Sequence, residues 1–149
     1  IDEAKIIMEK IEGKPLIEIL RSNEHDEELL IKVGRSIREL HRNAVNHGDL
    51  STNNILISDN REAFLIDLGL ATREYDLEGF GIDLHVLHEI LRASHPDVKG
   101  AMDLVLKGYS QLDEELGKPE AAPGGFPPDA EDVIKRLGQI MKRVRYHGG

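Results

Sequence analysis

Two short apolar runs, "NILI" at Asn54–Ile57 and "AFLID" at Ala63–Asp67, determine more of this chain's geometry than anything else in its 149 residues. They are joined by Ser58, Asp59, Asn60 and Arg61, and short apolar runs separated by turn residues predict an antiparallel hairpin. Such a pair brings its open ends together. Asp49 lies in the loop leading into the first strand, Asn54 stands five residues on, and Asp67 follows the second strand. The three side chains are therefore expected at one edge. Two carboxylates and an amide are hard oxygen donors, which Mg²⁺ prefers when they fill part of its shell and leave the rest to water and phosphate. A carboxylate not engaged with the metal can orient or deprotonate an attacking hydroxyl. The competing expectation is plainer: polar clusters such as "HGDLSTNN" (His47–Asn54) are usually only turns.

Around the hairpin the pattern is mainly helical. "AKIIMEK" (Ala4–Lys10) reads as a strand, followed by a turn at Glu12, Gly13 and Lys14. Pro15 suits the first turn of a short helix over Leu16–Arg21. From the N-cap Asp26, the residues Leu29, Val33, Ile37 and Leu40 define one apolar face of a helix running to about Ala44. After Asp67 the chain reads as irregular until Asp83, where Leu84, Leu87 and Leu91 resume helical spacing up to Pro96. A further helix carries Met102 to Tyr109, and a last one shows Val133, Leu137, Ile140 and Val144 on one face. Between them, Lys118–Pro128 is rich in Pro and Gly and reads as an exposed loop or disordered insertion.

Bulk properties exclude several classes. A net charge of −9 argues against general coating of nucleic acid. The sum hides a gradient: Asp113–Asp132 holds seven acidic residues and one Lys, whereas Val133–Gly149 holds five basic residues and no acidic one. With no cysteine, disulfides and Cys-based zinc sites are excluded. No apolar stretch is long enough to span a bilayer, and "IDEAKIIMEK" lacks the cationic start of a signal peptide, so a cytoplasmic protein without a membrane role is expected.

"HGDLSTNN" and "DLG" (Asp67–Gly69) resemble the catalytic loop H-x-D-x-x-x-x-N and the metal loop D-F-G of protein kinases, with the same internal spacings. The resemblance implies an α+β, protein-kinase-like fold that binds ATP and Mg²⁺. Asp49 would be the catalytic residue, with Asn54 and Asp67 holding the metal. "IIMEKIEG" resembles the last N-lobe strand and the hinge, so Met8 would be the gatekeeper and the backbones of Glu9 and Ile11 would meet adenine. His47 would support the loop by packing and hydrogen bonding, and Asp83, opening a helix, would tie that helix to the loop backbone. Residues 1–11 would then be the last N-lobe strand and hinge, and residues 12–149 a C-lobe ending in a basic helix and tail.

Only fifteen residues separate Asp67 from Asp83, too few for the activation loop and peptide platform of conventional protein kinases. The aminoglycoside and choline phosphotransferases share His-Gly-Asp but typically continue His-Pro-x-Asn. "HGDLSTNN", "LIDLGL", "IDLHVLH" and "ASHP" more closely resemble the small atypical PRPK-type kinases of the KEOPS complex. That family implies a serine/threonine kinase or ATPase working beside a threonylcarbamoyl transferase and other KEOPS subunits in t6A modification of tRNA. Its basic tail would face partner or tRNA, here through Lys142, Arg143 and Arg145. A Gly-rich loop and a strand Lys find no place before Ile1, so a fragment with weak turnover on its own is expected. The alternatives are a kinase-like scaffold that docks the transferase, or a small-molecule kinase. Plainer roles are expected elsewhere: the Ser51 hydroxyl satisfying loop backbone, Asn53 as a loop hydrogen-bonder, and His85 and His88 as ordinary histidines without a third metal ligand.

Overall fold

In chain order the elements are β1 (Gly13–Pro15), α1 (Leu16–Arg21), α2 (Glu27–Arg42), β2 (Val45–Asn46), β3 (Ile55–Ser58), β4 (Ala63–Leu65), a 3₁₀ turn (Leu68–Leu70), β5 (Thr72–Arg73), α3 (Leu77–Ser94), α4 (Ala101–Leu116) and α5 (Ala130–His147). The computed structural model describes residues 12–120, 125 and 127–147. The expected strand Ala4–Lys10, and with it Met8, Glu9 and Ile11, lies outside the described residues. What remains is the expected α+β arrangement, a helical body carrying small antiparallel sheets. Among the described residues no helix is long and apolar enough to cross a membrane.

The helix predicted from Asp26 forms because that carboxylate accepts the Leu29 N–H at 2.8 Å, satisfying one orphan donor of the first turn. Its apolar face, Leu29, Leu30, Val33 and Ile37, is fully buried. Helices α2 and α4 cross at a pair of glycines. A Cβ on Gly34 would run into the Val105 carbonyl, and one on Gly108 into the Ile31 carbonyl. Backbone meets backbone there, so neither position tolerates even a methyl group without displacement. Phe80, Leu84 and Leu87 of α3 and Val133 and Leu137 of α5 complete the same core.

The hairpin is present as β3 and β4, with Ile55 opposite Leu65 and Ile57 opposite Ala63. Four expectations need correction. Gly13 and Lys14 are not a turn: with Pro15 they form β1 and pair antiparallel with Leu56–Ser58, because glycine at 13 lets the backbone lie against Ile57. The helix expected from Asp83 begins six residues earlier, at Leu77, so Asp83 sits inside α3 and does not open it. Gly79 and Gly81 disguised that first turn; a Cβ at 79 would strike the Asn46 and Asp76 side chains, and one at 81 would strike Ile140. The Pro/Gly segment is not wholly exposed: Pro127 is buried, and the Pro128 carbonyl accepts a bond from Arg38 at 2.9 Å. Val144 belongs to the periodic face of α5 but is 46% exposed, since the helix outruns the core it packs on.

A buried polar chain runs through the helices. Arg38 is fully buried; its guanidinium donates to Asp113 at 2.8 Å and to Tyr109 at 3.3 Å. Asp113 also accepts from Arg42 and from the Ala130 N–H, both at 2.8 Å, and so caps α5 from a neighbouring helix. Burial pulls the Asp113 carboxyl upward, but Arg38, Ala130 and Arg42 together hold it below the usual range. Tyr109 bonds His41 at 2.7 Å, and the other His41 nitrogen lies 2.9 Å from Asp83.

Burial lowers the His41 imidazole below its ordinary value, with Asp83 opposing. The unfolded chain therefore takes up a proton near pH 6.5 that the folded chain refuses. Stability is full above that pH and falls as pH drops through it, by up to about 1.4 kcal/mol per pH unit from this residue. Urea denaturation between pH 7.5 and 5.5 should show that slope, and His41→Gln should reduce it.

Candidate active site

The loop between β2 and β3 is held by its neighbours before any ligand is considered. Asp83, buried in α3, accepts the His47 N–H at 2.8 Å with one carboxylate oxygen and the Gly48 N–H at 3.0 Å with the other. His47 is itself fully buried. Its Nε2–H donates to the Ile66 carbonyl at 2.7 Å, and its Nδ1 accepts the Asp49 N–H at 3.1 Å. A carbonyl can only accept and an amide N–H only donate, so the pairing requires the neutral ring with its proton on Nε2. One imidazole thus joins the residue before Asp67 to Asp49.

Gly48 shows why the residue before Asp49 is glycine. Its φ is +87°, and a Cβ would press on the carbonyl of Leu70 at 2.5 Å. The 3₁₀ turn after Asp67 lies directly against it. Gly48→Ala is expected to cost about 1–3 kcal/mol and to displace that turn, measurable by thermal melting together with the chemical shifts of Leu68–Leu70.

The hairpin brings Asn54 onto Asp49 and sets Asp67 two residues past the end of the neighbouring strand. Asn54 Nδ2 donates to the Asp49 carbonyl at 2.8 Å and to its carboxylate at 3.2 Å. The Ile66 N–H donates to the Asn54 carbonyl at 2.9 Å, which places Asp67 one residue beyond a backbone bond to Asn54. Asp67 adopts a left-handed conformation (φ 59°, ψ 67°), uncommon for any residue but glycine and tolerated best by Asp and Asn. Asp49 and Asp67 are exposed and Asn54 is half-buried. The pairing of β2 with β5, Asn46 opposite Thr72, folds the segment after Asp67 back against the loop, a contact the sequence analysis missed.

Other expected residues divide. Ser51 serves the loop through its backbone, its N–H bonding the Asp49 carbonyl and its carbonyl accepting the Asn54 N–H; no bond of its hydroxyl is found among the described residues. Asn53 is exposed. His85 and His88 are half-buried, and among the described residues no group of three His, Cys, Asp or Glu side chains gathers to hold a metal. Arg143 and Arg136 both bind Glu78 in the first turn of α3, at 2.7 Å and 3.2 Å, and hold its carboxyl below the usual range. Lys142 and Arg145 are exposed and form no ion pair among the described residues. Sequence reasoning missed the partners of Asp83, namely His41 and, beyond it, Tyr109, Arg38 and Asp113. The available signal was a polar residue on an apolar face, since His41 follows Ile37 by four.

Comparison with known proteins follows the same line. The model of the lipopolysaccharide kinase (Kdo/WaaP) family matches residues 2–94. The chain belongs to that family. Its fold is kinase-like, and the loop, hairpin and Asp67 turn all lie within the matched segment. Among relatives, the KEOPS complex subunit Bud32 of Pyrococcus abyssi is 36% identical over 145 residues, covering 95% of this chain and 60% of that protein. A probable serine/threonine-protein kinase BUD32 homolog of Archaeoglobus fulgidus is 32% identical over 146 residues, covering 98% and 64%. A probable bifunctional tRNA threonylcarbamoyladenosine biosynthesis protein of Methanosarcina acetivorans is 35% identical, but the chain spans only 23% of its length. These relatives bear out the resemblance to the PRPK-type kinases of KEOPS.

Proposed function

We propose that this Kdo/WaaP-family chain is the catalytic-loop portion of an ATP-dependent serine/threonine kinase or ATPase, acting as a KEOPS subunit in t6A modification of tRNA. The contact that best supports this is the Asn54 amide donating to both the carbonyl and the carboxylate of Asp49. It spends the amide nitrogen on Asp49 and leaves the amide oxygen for a cation. The exposed carboxylate of Asp67 begins one residue past the bond between Asn54 and Ile66. Two oxygen donors are too few to cage a cation and suit Mg²⁺, which keeps water and phosphate in its shell. When bound, the metal would neutralise charge on the nucleotide phosphates.

In this reading Asp49 accepts a hydrogen bond from the attacking hydroxyl or water and takes its proton as that oxygen bonds to the γ-phosphorus and the bond from phosphorus to the bridging oxygen breaks, with ADP leaving. The bond from Asn54 fixes the direction of that carboxylate. Met8 would be the gatekeeper of the nucleotide pocket, and the backbones of Glu9 and Ile11 would meet the adenine. Partners would be a threonylcarbamoyl transferase and other KEOPS subunits, with Lys142 and Arg145 free for tRNA or partner contact and Arg143 shared with Glu78. Mg-ATP hydrolysis and phosphotransfer by the intact protein, compared with Asp49→Ala, test the activity. A clear loss in the variant supports it. Equal background rates would leave a scaffold that docks its partner by shape. Co-purification with a transferase subunit tests the assembly.

A further inference from the structure

Helix α3 grips the catalytic loop near its start through Asp83, and the fold shows a second grip at the other end of the same helix. His95 follows the last residue of α3 and is 3% exposed. Its Nε2 lies 3.3 Å from the Oγ1 of Thr52, which is 1% exposed and sits between Asp49 and Asn54. The Thr52 carbonyl in turn accepts the Ile17 N–H of α1 at 3.0 Å. His95 is fixed from its own side as well: its N–H donates to the Leu91 carbonyl at 3.1 Å, and its carbonyl accepts the Val98 N–H at 3.1 Å.

Asp83 lies within α3 and His95 caps its C-terminal end twelve residues on, about 18 Å along the axis. A rigid rod thus meets the loop at residues 47–48 and again at residue 52, with Asp49 between the two holds. Burial, aided by Arg21 and His25 and opposed by Asp97, keeps the His95 ring below its ordinary pKa. A neutral ring has one donor and one acceptor nitrogen, either of which pairs with a hydroxyl.

We propose that His95 is a positioning residue that fixes the distal half of the catalytic loop through Thr52, so that Asp49 and Asn54 keep their mutual geometry. The proposal rests on the reading of those two residues as the catalytic and metal-holding pair. A histidine that only filled space would make no directional demand on Thr52; a positioning histidine needs the hydroxyl.

The test uses the intact protein with Thr52→Val, which keeps shape and removes the hydroxyl, Thr52→Ser, which restores it, and His95→Phe. Native-state amide exchange reads local opening at Ile17, Ser51 and Asn54, whose N–H groups bond to or within the loop, against the amides of α2 as reference. Thr52→Val and His95→Phe should speed exchange at those three amides at least tenfold with α2 unchanged. They should also lower kcat for Mg-ATP turnover about tenfold with little change in KM, and Thr52→Ser should return both toward wild type. If His95→Phe does not fold, the Val and Ser pair decides alone. Unchanged exchange at the loop, or loop and α2 amides accelerating together, would overturn the proposal. Exchange that responds as expected in a protein without Mg-ATP turnover would sink the functional reading and leave the clamp standing.

Discussion

Asp83→Ala is expected to destabilise the fold by about 3–5 kcal/mol, the largest effect of any single truncation considered. The carboxylate accepts three bonds in the interior, from the N–H groups of His47 and Gly48 and from the His41 ring. Removing it strands the His47 N–H in the interior, at a cost of about 1–3 kcal/mol, and leaves the part-buried Gly48 N–H without its acceptor. It also releases the His41 ring, whose second bond leads through Tyr109 to Arg38 and Asp113. Asp83→Asn should fall between, because the amide keeps one acceptor and turns an N–H toward a donor. Urea denaturation of the three proteins gives the ranking; a near-neutral alanine variant would show that the loop is held by other contacts.

Asp67→Asn is expected to lower Mg-ATP turnover by on the order of 10²–10³ while leaving the melting temperature nearly unchanged. Asparagine is chosen because it tolerates the left-handed backbone that Asp67 adopts, so the comparison isolates the charge. The side chain is exposed and bonds no other residue among those described, so its removal carries little cost in folding. Loss of activity with retained stability is what a metal-holding carboxylate produces. Equal loss of both would mark Asp67 as a structural residue of the 3₁₀ turn.

Sequence patterning was most informative where local geometry alone decides the outcome. The hairpin showed itself because short apolar strands and a polar turn need no distant partner to be recognised, and it brought Asn54 beside Asp49, with Asp67 following its second strand. The β2–β5 pair was invisible because two residues a side are too few to display an alternation. The early start of α3 was hidden by Gly79 and Gly81, whose poor helix propensity is outweighed by tight packing against Asn46, Asp76 and Ile140. Arg38, His41, Tyr109 and Asp113 read as ordinary helix residues until α2 and α4 are laid side by side. Their bonds span 68 to 75 residues of sequence, so no window along the chain contains them.

In the proposed function, one divalent cation and a nucleotide meet at the open end of the β3–β4 hairpin. The most direct measurement is paramagnetic broadening of backbone resonances in the intact protein when Mn²⁺ replaces Mg²⁺ in the presence of ATP. The amides of Asn54 and Asp67 should broaden first, Asp49 close behind, and those of α5 around Lys142 and Arg145 last. Broadening centred anywhere else, or none until the metal far exceeds the nucleotide, would contradict it.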